Sequence, residues 1–296
     1  MPTTLIEPAE LAGFLQQTPR QAHWAVIDCR FDLTRPDWGA DAYAAGHIPG
    51  SSYAHLDRDL SGPITEHSGR HPLPSPEKLA ATLGGLGIDR RTQVIAYDQD
   101  NGALAARLWW LLRWAGHAPV AVLNGGLAAW QRAGFPVTAE SIEHTPRQFE
   151  VSPENAQIVS SAQLEEMIAK GELSSGQTAL VDARGADRFA GENETLDPVA
   201  GHVPGARNHP FAGNVDAQGR FLGPPELRTR WLRTLGRTPS ESCVVMCGSG
   251  VTACHNLLAL ERAGLRGARL YAGSWSEWIR DPGRPIARVA PNDPVF

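Results

Sequence analysis

A cysteine in the second half of the chain has the sequence surroundings of a reactive thiol. Cys247 follows the apolar run 243–246, and Gly248-Ser249-Gly250 comes next, before a helical pattern that begins near Thr252. A strand that ends at a helix N-terminus exposes a thiol to backbone N–H groups and to the helix dipole, which favour the thiolate. The two glycines let the backbone curl around the sulfur. We therefore predict that Cys247 is a nucleophile.

Three other interpretations of this segment compete with a nucleophile, and two of them lack a feature that they require. Cys247 could be a small buried apolar residue, which is the commoner fate of an intracellular cysteine. A metal site made of Cys243, Cys247, Cys254 and His255 has a spacing that does not match zinc patterns. A cysteine phosphatase needs an arginine six positions after its nucleophile to clamp phosphate, and position 253 is alanine.

The elements that would position this thiol occur twice in the chain. Val-Ile-Asp-Cys-Arg at 26–30 corresponds to Leu-Val-Asp-Ala-Arg at 180–184, and Gly-His-Ile-Pro-Gly at 46–50 corresponds to Gly-His-Val-Pro-Gly at 201–205. A period of about 150 residues indicates a duplicated domain and not a solenoid. In each copy, strand-length apolar runs alternate with helical patterns, which is typical of α/β folds. The sequence predicts two tandem α/β domains, each a parallel sheet flanked by helices.

Length and composition agree with two domains. The chain has 296 residues, of which 42% are hydrophobic and 20% charged, enough for two cores. The segment 139–161 contains Pro146 and Pro153 and has no sustained apolar period, so it reads as a linker. We therefore expect a first domain at 1–138 and a second at 162–296.

Charge and cysteine content limit the partners and the compartment. The net charge of −5 predicts neither a nucleic-acid partner nor an anionic membrane surface. No apolar run reaches the length of about 20 residues that a membrane span needs, and the first residues lack a secretory pattern. Four cysteines in a chain of this length are too few for a disulfide scaffold. We expect a cytoplasmic protein.

Taken together, these segments resemble the tandem-domain sulfurtransferases, the family of rhodanese and 3-mercaptopyruvate sulfurtransferase. The resemblance also covers the closing segment Tyr-Ala-Gly-Ser-Trp-Ser-Glu-Trp at 271–278. It implies two rhodanese-like domains, of which the first is catalytically silent and carries an aspartate where the second has its cysteine. The matching position here is Asp98, or Gln99 in an alignment without gaps. The resemblance further implies a Cys247 persulfide as intermediate and no metal or organic cofactor.

The loop after Cys247 carries the resemblance to the mercaptopyruvate enzymes. Thiosulfate rhodaneses resemble Cys-Arg-Lys-Gly-Val-Thr at this loop, whereas residues 247–252 read Cys-Gly-Ser-Gly-Val-Thr. A hydroxyl and backbone amides suit a ketone oxygen and a departing enolate better than a dianion. The implied reaction moves sulfur from 3-mercaptopyruvate to a thiol or cyanide and releases pyruvate. A thiosulfate:cyanide sulfurtransferase is the first alternative, and a persulfide carrier or protein-interaction module is the second.

The resemblance also implies site residues, in part from the first half of the chain across an interdomain cleft. The implied catalytic residues are Cys247, Ser249, His71 and Asp59. The implied substrate-binding residues are Arg188, Gly248, Gly250, Val251 and Thr252. Asp57 competes with Asp59 for the acidic role, and Arg184 is expected to be structural.

One position departs from the family pattern. The mercaptopyruvate enzymes usually have a second arginine within Glu-Pro-Arg, whereas this chain has Asp197 before Pro198. A single arginine, Arg188, would hold the substrate carboxylate less firmly, so the preferred donor stays undecided at this point. The expected partners are a small-molecule sulfur donor and an acceptor such as thioredoxin, glutathione or cyanide.

Overall fold

The computed structural model describes residues 4–17 and 23–288, and these fall into two compact units. The first unit consists of the described residues within Met1–Gly62, Leu73–Glu154 and Val215–Phe221. The second consists of those within Pro63–Pro72, Asn155–Asn214 and Leu222–Phe296. Each unit therefore includes a short segment from the other half of the sequence.

The first unit is an α/β domain. Its strands are β1 (Leu5–Ile6), β2 (Trp24–Asp28), β3 (Ser51–Tyr53), β4 (Gln93–Tyr97) and β5 (Val120–Leu123). Its helices are α1 (Pro8–Gln17), α2 (Trp38–Ala45), α3 (Pro76–Gly85), α4 (Ala105–Trp114) and α5 (Gly126–Arg132). The strands form one sheet in the order β1-β5-β4-β2-β3, in which all neighbours are parallel.

The second unit repeats this plan with a smaller sheet. Its strands are β6 (Ala179–Asp182), β7 (Arg207–Asn208), β8 (Cys243–Met246) and β9 (Arg269–Leu270). Its helices are α6 (Ser161–Ala169), α7 (Glu172–Ser175), α8 (Ala186–Ala190), α9 (Pro224–Leu235), α10 (Thr252–Arg262) and α11 (Ser274–Trp278). The order is β7-β6-β8-β9, again with parallel neighbours. The prediction of two α/β domains with parallel sheets is confirmed.

Local sequence explains where these elements begin and why the sheets are covered on both sides. Ser75 accepts the Lys78 N–H and is followed by proline, so α3 begins at Pro76. Ser160 and Gln163 form a capping box that begins α6. The central strands β4 and β8 are buried at every residue. Helices therefore cover both faces, and polar chemistry collects at the carboxyl ends of the strands.

Strand register identifies the equivalent positions of the two units. Asp28 pairs with Tyr97 across β2 and β4, and Asp182 pairs with Met246 across β6 and β8. The next residue in each central strand is therefore Asp98 in the first unit and Cys247 in the second. Of the two matches that the sequence allowed, the register selects Asp98 over Gln99.

The Asp-x-Arg segments make the same contacts in both units. Arg30 binds the Asp28 carboxylate through its Nη2 at 2.6 Å and donates to the Gly46 carbonyl at 2.8 Å. Arg184 repeats both contacts with Asp182 at 2.7 Å and with the Gly201 carbonyl at 2.8 Å. Arg184 thus ties the strand end to the Gly-His-Val-Pro-Gly turn.

Candidate active site

Cys247 lies at the carboxyl end of β8, one turn of backbone before helix α10. Its side chain is almost fully buried, with 2% of the residue surface exposed. The Gly250 N–H donates to Cys247 Sγ at 3.1 Å, and α10 begins at Thr252. The thiol therefore lies where the sequence predicted it, between a strand end and a helix N-terminus that together stabilise negative charge.

The loop around this thiol needs glycine at position 250. Gly250 has φ +78°, and a Cβ there would lie 2.3 Å from the Ala272 carbonyl oxygen. The closing segment 271–278 thus packs directly against the loop backbone. Any side chain at position 250 would push the two apart, because that distance is far inside van der Waals contact.

Ser274 holds the loop from the other side. It is the non-glycine residue with positive φ, 53°, in the described part of the chain. Its hydroxyl accepts the Cys247 N–H at 3.0 Å and donates to the Tyr271 carbonyl at 3.0 Å. The Trp275 and Ser276 N–H groups donate to the carbonyls of Cys247 and Gly248 at 3.0 and 2.8 Å. The closing segment therefore fixes the position and direction of the Cys247 backbone.

Ser249 and His71 come together in the second unit. His71 Nδ1 and Ser249 Oγ are 2.7 Å apart, a hydrogen-bond distance, and both residues are buried. His71 belongs by sequence to the first half of the chain, but segment 63–72 packs in the second unit. Two of the three members of the implied Ser-His-Asp relay are thus in contact.

The acidic residues considered for this relay lie in the first unit. The Asp59 carboxylate accepts the His55 N–H at 2.7 Å. The Asp57 N–H donates to His55 Nδ1 at 3.1 Å. The acidic member of the relay stays a prediction.

Two arginines lie beside the loop. A Cβ at Gly248 would lie 3.4 Å from Arg70 Nη2 and 3.6 Å from Arg188 Nη2. Arg188 was predicted from the sequence, whereas Arg70 was missed. The sequence held only an indirect signal for Arg70, which directly precedes His71. Asp197 stands where an arginine is usual, and a carboxylate that is buried there requires cations from elsewhere in the chain.

A chain of alternating charges, which we call the ion chain, leads from β6 to these arginines. It runs in order through Asp182, Arg184, Glu194, Arg188, Asp197 and Arg70. Along that order, the distances between the arginine nitrogen and the carboxylate oxygen of neighbouring members are 2.7, 3.4, 2.8, 3.1 and 2.6 Å. The three carboxylates have at most 2% of their side-chain surface exposed, whereas Arg188 has 19% and Arg70 25%. The three carboxylates are therefore enclosed, and the guanidiniums of Arg188 and Arg70 are partly accessible.

The electrostatics of the ion chain keep Glu194 ionised. Burial would raise the pKa of Glu194, but hydrogen bonds from the Arg188 guanidinium and from the N–H groups of Leu196 and Asp197 outweigh it and lower that pKa. Arg188 in turn uses its Nε and Nη2 on Glu194, at distances from 2.8 to 3.1 Å. Glu194 therefore orients the guanidinium of Arg188.

Arg70 uses the opposite edge of its guanidinium. Its Nη1 donates to Asp197 Oδ1 at 2.6 Å. Its Nε is buried and has no hydrogen-bond partner among the described residues. Asp197 thus holds Arg70 through Nη1, while Nη2 of the same guanidinium lies beside Gly248.

The remaining cysteines have other surroundings. Cys243 is fully buried in β8, and this burial raises the pKa of its thiol to about 12. The Cys254 thiol donates to the Gly250 carbonyl at 3.3 Å. In residues 4–17 and 23–288, no group of three or more His, Cys, Asp or Glu side chains is arranged to hold a metal ion. In the same ranges, no helix combines the length and apolar character needed to cross a bilayer.

Comparison with known proteins agrees with this geometry. The model of the rhodanese-like domain matches the chain twice, at residues 7–133 and 160–281. A protein of Pseudomonas aeruginosa named "Probable 3-mercaptopyruvate sulfurtransferase" is 48% identical, covering 88% of this chain and 91% of its own. The thiosulfate sulfurtransferase of Cricetulus griseus is 35% identical over 84% of this chain and 82% of its own.

A solved structure gives the same result at the level of the fold. The 3-mercaptopyruvate sulfurtransferase from Leishmania major superimposes with a TM-score of 0.79 at 31% identity, covering 93% of this chain and 74% of its own. The chain therefore belongs to the family of rhodanese-like domain proteins, with one such domain in each half. The resemblance found in the sequence is confirmed, and the enzyme class is that of the sulfurtransferases.

Proposed function

We propose that this enzyme takes sulfur from 3-mercaptopyruvate, carries it as a persulfide on Cys247, and passes it to a thiol or to cyanide. The observation that carries the proposal is the pair of Ser249 Oγ and His71 Nδ1, 2.7 Å apart, in the loop that follows the buried Cys247 thiol. A hydroxyl backed by an imidazole can polarise a ketone and deliver a proton. Mercaptopyruvate requires both actions, and thiosulfate requires neither.

The first half-reaction breaks the carbon–sulfur bond of the donor. The Cys247 thiolate attacks the donor sulfur, and the electron pair of the carbon–sulfur bond passes to carbon as the enolate of pyruvate. That carbon then takes one proton, so the thiolate and mercaptopyruvate become an ionised persulfide and pyruvate. The proton balances the one lost from the donor thiol, and Ser249 with His71 is placed to relay it.

Two guanidiniums support the carboxylate end of the donor. Arg188 Nη2 and Arg70 Nη2 lie beside Gly248, the residue after the nucleophile. They would hold the carboxylate while the sulfur reaches Cys247, which is the orientation that lowers the barrier of a two-centre reaction. Arg70 thus takes the place of the arginine that position 197 lacks.

The second half-reaction returns the thiolate. An acceptor thiol or cyanide attacks the outer sulfur of the persulfide, and Cys247 leaves as a thiolate. Until then, the N–H groups of Gly250, Val251 and Thr252 would hold the ionised persulfide at the start of α10. Thioredoxin and glutathione are the proposed thiol acceptors. A reducing compartment such as the cytoplasm suits these steps, because all four cysteines are free thiols.

The proposed acidic member of the relay is Asp59, with Asp57 as its alternative. A carboxylate that accepts from the second ring nitrogen of His71 would fix its tautomer and stabilise the imidazolium. Replacing each aspartate by asparagine separates the two. The aspartate whose replacement slows mercaptopyruvate turnover more holds the role. Wild-type turnover in both variants would remove the acid from the proposal.

Comparing donors tests the function. With cyanide as acceptor, kcat/KM for mercaptopyruvate is expected to exceed kcat/KM for thiosulfate by at least about tenfold. Ser249→Ala and His71→Ala should each reduce the mercaptopyruvate value and change the thiosulfate value little. A tenfold preference for thiosulfate would establish the alternative function that the Cricetulus griseus relative carries in its name. Persulfide on Cys247 without turnover of either donor would indicate a carrier.

A further inference from the structure

The carboxylate of Asp197 lies between the two guanidiniums that flank the nucleophile loop. Its Oδ1 accepts from Arg70 at 2.6 Å and its Oδ2 from Arg188 at 3.1 Å, and only 2% of its side chain is exposed. An anion bound to both arginines would therefore have this negative charge behind its cations. Solvent screens it weakly, because the carboxylate is enclosed.

The ion chain is electrically balanced. It contains three arginines and three carboxylates, so its formal charge is zero when all are ionised. The nucleophile loop adds no cationic side chain, since residues 247–252 are Cys-Gly-Ser-Gly-Val-Thr. The site therefore offers hydrogen-bond donors to an anion without a surplus of positive charge from these residues.

A site of net positive charge would attract a dianion more strongly than a monoanion, because Coulomb energy scales with ligand charge. Asp197 repels a dianion twice as strongly as a monoanion at the same place, so it cancels that extra attraction, while the larger desolvation cost of the dianion remains. Mercaptopyruvate with a protonated thiol carries one negative charge, and thiosulfate carries two. Charge selection at this position does not depend on the relay at Ser249.

We propose that Asp197 is a specificity-determining residue, which makes this site prefer monoanionic sulfur donors by cancelling one of its two accessible positive charges. The inference rests on the proposed function and refines its donor class. Asp197 touches the arginines and not the donor, so it acts through the charge and the position of Arg70 and Arg188.

Inert anions test the proposal without turnover. Pyruvate is the monoanion and sulfate the dianion, and calorimetric titration at low ionic strength gives the Kd of each for the wild type and for Asp197→Asn. Removing one negative charge should tighten sulfate binding about tenfold and pyruvate binding about threefold, since the effect scales with ligand charge. Glu192→Gln, an exposed residue of the same loop, is the control for net charge and should leave the ratio of the two constants unchanged.

The outcomes separate charge selection from simple positioning. If Asp197 only positions Arg70, Asp197→Asn weakens both anions and the ratio stays constant, which would overturn the proposal. Asp197→Glu keeps the charge and should keep the wild-type ratio. Should Asp197→Asn not fold, Arg70→Gln removes a positive charge from the same cluster and should shift the ratio about threefold toward pyruvate. An unchanged ratio there contradicts the proposal as well.

The same variants distinguish this inference from the proposed function. The anion ratio is measured on resting enzyme, so it stands or falls whether or not mercaptopyruvate is turned over. In the donor assay, Asp197→Asn should raise kcat/KM for thiosulfate relative to mercaptopyruvate by about threefold. A wild-type enzyme that shows the predicted anion ratio but no mercaptopyruvate turnover would reject the function and keep the role of Asp197.

Discussion

The turn that follows β4 and the turn that follows β8 are built alike but hold different groups at the same position. In the first unit, the buried Asp98 carboxylate accepts from four backbone N–H groups, at 3.2, 2.9, 2.8 and 3.1 Å. The donors are Asp100, Gly102, Leu104 and Ala105. In the second unit, Cys247 Sγ accepts from Gly250 at 3.1 Å.

The difference agrees with the proposed roles of the two units, in which the first is catalytically silent and the second carries the nucleophile. Helix α4 begins seven residues after Asp98, whereas α10 begins five residues after Cys247. The longer first loop wraps around the Asp98 carboxyl group and uses the helix N-terminus to satisfy it. In the described part of the second unit, no backbone carbonyl accepts from the N–H groups of Val251 and Thr252. That helix end is where the proposed Cys247 persulfide would be held.

Replacing the nucleophile should give the largest effect on this contrast. Cys247→Ser leaves the loop but removes the thiolate, so sulfur transfer from either donor should fall at least about 1,000-fold. Steady-state assays with mercaptopyruvate and with thiosulfate measure it. Cys243→Ala is the matched control, since that thiol lies four residues earlier in β8 with a pKa raised to about 12 by burial. Full activity in Cys247→Ser would end the assignment of the nucleophile.

Removing the Asp98 carboxylate is expected to affect the stability of the first unit. Asp98→Ala leaves four buried N–H groups without their acceptor, which should lower the free energy of unfolding of the first unit by about 3 kcal/mol. Asp100→Ala, at an exposed neighbouring position, should change it by less than about 0.5 kcal/mol. Denaturant unfolding of both variants measures the difference. Equal stability would show that the carboxylate does not hold the loop.

Disturbing the reactive loop should slow catalysis. Gly250→Ala places a methyl group 2.3 Å from the Ala272 carbonyl oxygen and shifts the N–H that faces Cys247 Sγ, so kcat/KM should fall about 100-fold. Gly134→Ala in the first unit is the matched control, because Gly134 has the same φ, +78°, and a Cβ added there would meet no neighbouring atom within 4 Å. The control should show the backbone strain alone, as a small loss of stability with normal kcat/KM. A similar kcat/KM in both variants would contradict the close packing of the loop.

The smallest effect concerns acid stability, through the ion chain of the second unit. The pKa of Glu194 is lowered in the folded state, so between that value and the ordinary value of about 4.3 the unfolded chain binds more protons. Ionised Glu194 therefore stabilises the second unit above about pH 4.3, and this contribution is lost as pH falls through the lowered pKa.

Glu194→Gln measures this contribution. The variant should be less stable than the wild type by about 1 kcal/mol at pH 7, and the two should converge as the pH falls through the lowered pKa of Glu194. Unfolding free energies at a series of pH values give the curve. A difference between variant and wild type that does not depend on pH would contradict the ionic role of Glu194.

The sequence was sufficient for the features that follow a strand directly. Asp28, Asp182 and the Cys247 loop were found because apolar runs, glycines and a repeat mark the ends of parallel strands. Arg70 was not found, because its role depends on segment 63–72 folding with the second unit, and no local pattern encodes that. Asp197 was read as a missing cation, but a buried carboxylate instead implies cations nearby, and the structure gives two. Strand register, which the sequence left open, decided between Asp98 and Gln99.

Mass spectrometry tests most directly whether Cys247 in the second unit is the cysteine that accepts transferred sulfur. The reduced enzyme is treated with mercaptopyruvate in the absence of acceptor, its thiols are blocked, and intact and peptide masses are recorded. We expect one added sulfur atom per chain, located on Cys247 and removed by cyanide, with Cys29, Cys243 and Cys254 unchanged. Added sulfur on another cysteine, or none while pyruvate is released, would contradict the account.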